Sequence, residues 1–181
     1  MKVLLSVFYL AAAAIQGVPT KSEPLLPAVK RLAPSAFRQL PRSISAYLTR
    51  RRCTIPQSFE QRAPHNVITG EFIERGHPAW AVLCSREGRS AILLFKRNSS
   101  RPLAELAEEA DQNYLQAIGP NGRIAYSRRI NSVRPDEILG RYRAYDGPSF
   151  DHDGIDDAFA EKASVVRYCL AGHWLELAGA E

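Results

Sequence analysis

The fold of this protein is decided by residues 79–96, which read Ala-Trp-Ala-Val-Leu-Cys-Ser-Arg-Glu-Gly-Arg-Ser-Ala-Ile-Leu-Leu-Phe-Lys. Two apolar runs, residues 80–84 and 91–95, flank the turn residues Arg86-Glu87-Gly88-Arg89. Apolar runs rich in β-branched and aromatic residues and separated by a polar turn predict two antiparallel strands. Neither run alternates with polar residues, which indicates central strands covered on both faces.

The neighbouring segments extend this hairpin. Residues 66–73 predict a third strand of the same meander, and residues 164–170 and 173–177 predict a hairpin at the C-terminal end. A short strand is also expected near residues 123–128. The fold class is therefore mainly β, an antiparallel meander with two or three short helices.

Helical spacing occurs in three places. Residues 42–51 carry apolar side chains at i, i+3 and i+4, and residues 102–116 carry an apolar stripe opposite three glutamates. Pro135-Asp136-Glu137 has the composition of a first helical turn. These segments predict three short helices.

The N-terminal residues indicate export. Lys2 precedes an apolar run over residues 3–15, which has the length of a signal-peptide core and is too short to span a bilayer. We expect a signal peptide at 1–17, a flexible Pro-rich lead-in at 18–41 and a single β-rich domain at 42–181. The mature protein is then periplasmic or secreted, with no transmembrane segment after signal removal.

The charge is divided between the two halves of the chain. Residues 18–100 carry 14 Lys and Arg against 5 Asp and Glu, whereas residues 101–181 carry 9 against 14. Interleaved aromatic and basic residues are missing, so no nucleic-acid partner is expected. The basic run Arg50-Arg51-Arg52 has two interpretations: it complements the dipole at a helix end, or it forms a docking patch for an anionic surface.

Three cysteines in an exported chain predict one disulfide and one remaining thiol. Cys53–Cys84 is the preferred pair, because Cys169 lies in an apolar, strand-like run. Closing this loop is expected to contribute about 3–4 kcal/mol.

An acidic segment is the candidate metal site. Asp151, Asp153 and Asp157 have the spacing D-x-D-G-x-x-D, which resembles calcium loops of the EF-hand and thrombospondin type 3 kind. Gly154 would supply a turn and the carbonyl of Ile155 a further ligand. The sequence thus predicts calcium bound by Asp151, Asp153, Ile155 and Asp157, with an exposed acidic turn as the alternative. The bidentate Glu of a true EF-hand is missing or shifted, because Ala160 occupies its position.

Catalytic motifs are not found. The chain lacks a G-x-S-x-G motif, a phosphate-binding loop and a nucleophilic cysteine context. Asp156 or Asp157 together with Glu161 could in principle serve hydrolysis. We expect a protein that is not an enzyme.

Two stretches carry a resemblance to known families. Gly70-Glu71-Phe72 with residues 76–85 resembles a blade of the FG-GAP/VCBS type, which implies a partly propeller-like arrangement. Residues 151–157, with Gly172-His173-Trp174, look like the closing segment of a family of uncharacterised secreted bacterial proteins. A more distant likeness is to propeller-like calcium-binding inhibitors of lysozyme.

This resemblance implies a function. We expect a secreted or periplasmic, calcium-stabilised binding protein that inhibits a lysozyme-type peptidoglycan hydrolase or binds another envelope protein. A structural envelope protein and an envelope hydrolase that uses the loop carboxylates are the alternatives.

Overall fold

Antiparallel strands are the commonest regular element of the computed structural model, which describes residues 29–97, 99–141 and 149–178. The helices of these ranges are α1 (Arg42–Arg50), α2 (Pro135–Arg141) and two 3-10 helices (Pro34–Ala36 and Asp111–Tyr114). The strands are β1 (Arg31–Leu32), β2 (Ile55–Pro56), β3 (Val67–Gly70), β4 (Ala79–Arg86), β5 (Arg89–Lys96), β6 (Ala104–Ala110), β7 (Leu115–Ile118), β8 (Arg123–Tyr126), β9 (Arg128–Val133), β10 (Gly154–Phe159), β11 (Ala163–Leu170) and β12 (His173–Ala178). The mainly β fold predicted from the sequence is confirmed.

Two four-stranded meanders form the body of the protein. The first sheet has the order β3-β4-β5-β6 and the second sheet the order β9-β10-β11-β12, so neighbours in space are also neighbours in sequence. Strands β1 and β2 form a small ribbon, as do β7 and β8. The predicted hairpin of residues 79–96 pairs along its whole length, from Ala79 opposite Lys96 to Arg86 opposite Arg89.

The two sheets pack face to face, and each is covered on its outer face by a helix. Alternate residues of β4 separate the layers: Ala81 and Leu83 face the second sheet, whereas Val82 and Cys84 lie in the cluster under α1. Ile138 of α2 packs on the outer face of the second sheet. The predicted burial of β4 and β5 on both faces is therefore confirmed.

The predicted helix over 102–116 is wrong. Residues 104–110 form β6, which pairs with β5 and supplies an edge of the first sheet. The register shifts opposite Ser90 and Ile92, and Ala107 takes a positive φ of 52°. This bulge directs Leu106 and Ala107 toward the same core, which produces an apolar spacing that imitates a helix. Pairing with β5 outweighs the helix propensity of Ala, Leu and Glu.

The predicted flexible lead-in needs correction over its described part. Residues 31 and 32 pair with β2, and Val29, Phe37 and Leu40 are buried. The folded domain therefore includes at least residues 29–41. The predicted signal peptide at 1–17 and the rest of the lead-in lie outside the described residues. Among the helices of the described ranges, none is long and apolar enough to cross a membrane.

Candidate docking surface at the end of the first helix

Helix α1 is amphipathic and presents a basic face to solvent. Ile44 and Leu48 are fully buried against the first sheet, and the ring of Tyr47 packs edge-on against Phe95 at 5.6 Å. With one face fixed in the core, Arg42 and Arg50 remain exposed. The predicted helix at 42–51 is confirmed to within one residue.

The C-terminus of α1 holds an arginine in an unusual backbone conformation. The Cys53 N–H donates to the Leu48 carbonyl at 2.9 Å, which closes the helix in a Schellman-type turn. Arg52 has a φ of 55°, the left-handed conformation that is usually taken by glycine at this position. A side chain there costs about 1–2 kcal/mol. Five other non-glycine residues of the described ranges share a positive φ, so the conformation at position 52 fixes where the side chain stands and assigns it no role.

The disulfide ties this turn to the first sheet. Cys53 and Cys84 are bonded, with their Cα atoms 5.4 Å apart, which confirms the predicted pair. Thr54 and Ser85 exchange backbone hydrogen bonds of 3.0 and 2.8 Å next to it. Cys169 is a buried free thiol whose pKa is raised by burial. The turn at Arg51 and Arg52 is thus fixed to the first sheet by the disulfide and by the backbone hydrogen bonds between Thr54 and Ser85.

Five arginines define what we call the arginine face: Arg38, Arg42, Arg50, Arg51 and Arg52. All five are exposed, and none forms an ion pair or a side-chain hydrogen bond within the part of the chain that the structure describes. A shallow groove of about 530 Å³ runs along this face, and its lining contains neither Asp nor Glu. The groove is lined by Ser35, Phe37, Arg38, Leu40, Arg42, Ser45, Ala46, Thr49 and Arg50.

Arg51 and Arg52 do not line this groove but border a second pocket of about 430 Å³. The charged residues of its lining besides these two are Arg86, Arg89, Glu87, Glu105 and Glu108. Arg86 is paired with Glu105 and Arg89 with Glu108, so among the described residues of this lining Glu87 alone stands against Arg51 and Arg52. The described part of this region therefore keeps a net positive charge on the arginine face.

The acidic half of the chain contributes a different feature, a charged network between the sheets. Arg128 is fully buried and makes two hydrogen bonds of 2.9 Å to the two carboxylate oxygens of Asp157. Its remaining N–H groups donate to the carbonyl and hydroxyl of Ser90 and to the carbonyl of Ala107. All five donors of the guanidinium are therefore satisfied.

Electrostatics keep this network charged. Burial alone would lower the pKa of Arg128, but the hydrogen bonds and charge of Asp157 reverse the effect and raise it. Arg167 approaches the same carboxylate at 3.3 Å. Burial raises the pKa of Tyr114, over whose ring the Arg128 guanidinium lies at 4.7 Å. The network has the geometry of a structural centre that fixes one sheet on the other.

The predicted calcium ligands lie at the start of β10 and inside it. Asp151 is exposed and accepts a hydrogen bond from the Tyr168 hydroxyl at 3.1 Å. Asp153 accepts from the Glu71 N–H at 2.9 Å, and a Cβ on Gly70 would lie 2.8 Å from its Oδ2. A side chain at position 70 would therefore require this carboxylate and the Phe72 ring to shift.

The other two predicted ligands belong to the strand. The Ile155 side chain is buried between the sheets, and Asp157 belongs to the Arg128 network. Gly154 does not form the predicted turn, because it lies in β10 and pairs with Val133. A Cβ at this position would come within 2.8 Å of the Val166 side chain. Asp156 lies on the opposite face of β10 from Asp157 and is paired with Arg141 at 3.3 Å. Of the two carboxylate pairs considered for hydrolysis, Asp156 and Glu161 border one pocket together with Arg141, whereas Asp157 lies between the sheets with Arg128.

Within the described residues, no group of three or more His, Cys, Asp and Glu side chains has an arrangement that could hold a metal ion. Calcium binding at Asp151, Asp153, Ile155 and Asp157 stays a prediction, and thermal melting with millimolar calcium or a chelator tests it. Because Asp157 already has two arginine partners and Asp153 a backbone donor, we expect an unchanged midpoint. A rise in the midpoint with calcium would support the predicted site.

His152, which lies between Asp151 and Asp153, is buried. The ring stacks on Tyr168 with centroids 4.3 Å apart. Its Nε2 and Nδ1 lie 2.9 and 3.0 Å from the carbonyl oxygens of Cys169 and Asp153. The imidazole therefore fastens the segment before β10 to β11.

Comparison with known proteins gives no relative: no family model, no curated protein and no solved structure matches this chain. The resemblances to FG-GAP/VCBS blades and to lysozyme inhibitors therefore stay predictions.

Proposed function

We propose that this protein is an exported, disulfide-stabilised binding domain that docks an acidic partner on the arginine face. The observation that carries the proposal is the set of five exposed arginines, which have no counter-ion among the residues that the structure describes. Arginine forms bidentate hydrogen bonds with carboxylates, so a partner rich in Asp and Glu suits this surface.

A lysozyme-type peptidoglycan hydrolase is the first partner to test. Such enzymes carry a pair of catalytic carboxylates in an open cleft. Arg51 and Arg52 stand on a turn fastened by the Cys53–Cys84 disulfide, so little conformational entropy is lost when the turn enters a cleft. An arginine placed between the two carboxylates would block the reaction.

The test replaces Arg51 and Arg52 together by Glu and measures both binding to a purified lysozyme-type hydrolase and the rate of cell-wall hydrolysis. We expect inhibition by the wild type and a loss of affinity of about a hundredfold or more in the double variant, because like charges replace paired ones. The matched control replaces Arg75 and Arg101, which are exposed and lie outside the arginine face, by Glu. Equal losses in the two double variants would argue against a specific docking surface.

A second variant separates docking from folding. Arg52→Gly removes the side chain from a left-handed position and is expected to raise the free energy of unfolding by about 1 kcal/mol while weakening binding. Ala171→Gly is the control, since Ala171 has a φ of 49° in the β11–β12 turn. It is expected to stabilise the protein without changing binding. An absence of inhibition by the wild type would exclude this hydrolase as the partner and favour the structural alternative.

A further inference from the structure

A second basic site lies beside the ribbon of β1 and β2. It is a pocket of about 300 Å³, the size of a small-molecule site, and three cationic side chains stand around it: Lys30, Arg62 and Arg123. Its floor contains the buried residues Gln57, Ser58, Ala125 and Tyr126. We call it the cationic pocket.

The three cations of the cationic pocket are not paired with any carboxylate that the structure describes. Within the described ranges, none of them forms an ion pair or a side-chain hydrogen bond, and the pocket lining contains no Asp or Glu. The nearby Glu60 is engaged with Arg129 at 2.8 Å. Lys30, Arg62 and Arg123 therefore border one concave site whose described lining contains no carboxylate to balance their charge.

The floor is held rigid by a closed set of hydrogen bonds. The Gln57 amide donates to the carbonyls of Ile55, Pro56 and His65 and accepts from the His65 N–H at 2.9 Å. The Ser58 N–H donates to His65 Nε2 at 2.7 Å, while His65 Nδ1 lies 3.0 Å from the Ala63 carbonyl. These contacts fix the tautomer that carries its proton on Nδ1.

One donor on this floor is left for a ligand. The Ser58 hydroxyl lies 3.1 Å from His65 Nε2, a nitrogen that the Ser58 backbone N–H already satisfies. Burial lowers the pKa of His65, so the ring stays neutral and does not need the hydroxyl. The hydroxyl can therefore turn toward an anion without leaving a buried group unpaired.

We propose that the cationic pocket binds a phosphate group, held by Lys30, Arg62 and Arg123 with the Ser58 hydroxyl as a neutral donor. A tetrahedral oxyanion offers acceptors to several cations at once, and the pocket of about 300 Å³ leaves room for the group that carries the phosphate. The pocket binds and does not cleave, because the backbone N–H of Ser58 occupies the nitrogen that would have to take the hydroxyl proton. This site is independent of the arginine face.

The test is calorimetric titration of the full protein with inorganic phosphate, followed by sedimentation with phosphatidylglycerol vesicles. We expect one phosphate per chain, and we expect the double variant Arg62→Gln with Arg123→Gln to weaken binding by about tenfold or more. Arg75→Gln with Arg101→Gln carries the same change in net charge and is expected to keep wild-type affinity. The melting midpoints of both double variants establish that each is folded.

The phosphate site would be overturned by a wild type that shows no saturable phosphate binding, or by equal weakening in the two double variants. The vesicle arm identifies the source of the phosphate. Sedimentation that inorganic phosphate competes away assigns a lipid headgroup, and saturation by phosphate without vesicle binding assigns a soluble phosphate. Hydrolysis of a phosphomonoester that is lost in Ser58→Ala would contradict a pocket that only binds.

Discussion

Asp157→Asn is expected to lower the free energy of unfolding by about 3–5 kcal/mol, the cost of leaving a buried charge without its partner. Arg128 is fully buried, and its two hydrogen bonds to the Asp157 carboxylate are both 2.9 Å long. An amide keeps the shape of the carboxylate but not its charge, so the guanidinium stays buried without compensation. Urea unfolding followed by tryptophan fluorescence measures the loss.

Two further variants make this result specific. Asp156→Asn removes an ion pair with the partly exposed Arg141 and is expected to cost no more than about 1 kcal/mol. Replacing both members of the buried pair, Arg128 by Met and Asp157 by Leu, is expected to restore most of the stability. A loss below about 1 kcal/mol in Asp157→Asn would contradict the assignment of this pair as the polar centre between the sheets.

The second large effect concerns the disulfide. Replacing Cys53 and Cys84 together by Ala is expected to lower the free energy of unfolding by about 3–4 kcal/mol. The bond joins residues 31 positions apart, and without it the unfolded chain regains the entropy of that loop. Urea unfolding under non-reducing conditions measures the change, and mass spectrometry of a digest verifies the bond in the wild type.

Cys169→Ala is the matched control for the disulfide. Cys169 is a buried free thiol, so its removal costs packing, about 1 kcal/mol, but opens no loop. Reducing agent should destabilise the wild type and Cys169→Ala alike and leave the variant without Cys53 and Cys84 unchanged. Equal sensitivity of all three proteins would show that the bond does not act through loop entropy.

The elements that the sequence determined by itself have contacts that are local in the chain. The β4–β5 hairpin follows from two apolar runs around a polar turn, and α1 follows from the spacing of Ile44, Tyr47 and Leu48. The β11–β12 hairpin turns at Ala171-Gly172 for the same reason. The Cys53–Cys84 pair could also be predicted, since the expectation of export indicates a disulfide and the strand-like surroundings of Cys169 leave the other two cysteines as the pair. The basic run Arg50–Arg52 could be recognised in the sequence. Choosing between its two interpretations, a complement to the helix dipole or a docking surface, requires the tertiary structure around it.

The tertiary structure decided the segments whose partners are distant in sequence. Residues 104–110 have helical spacing but form a strand, because they pair with β5. Residues 154–159 include Gly, Ala and two Asp, residue types that are uncommon in strands, yet they form β10 between β9 and β11. Arg128 makes this possible by neutralising Asp157 inside the core. No pattern within a short window of sequence reveals such a pair, because its two charges are stabilised only after both sheets have closed over them.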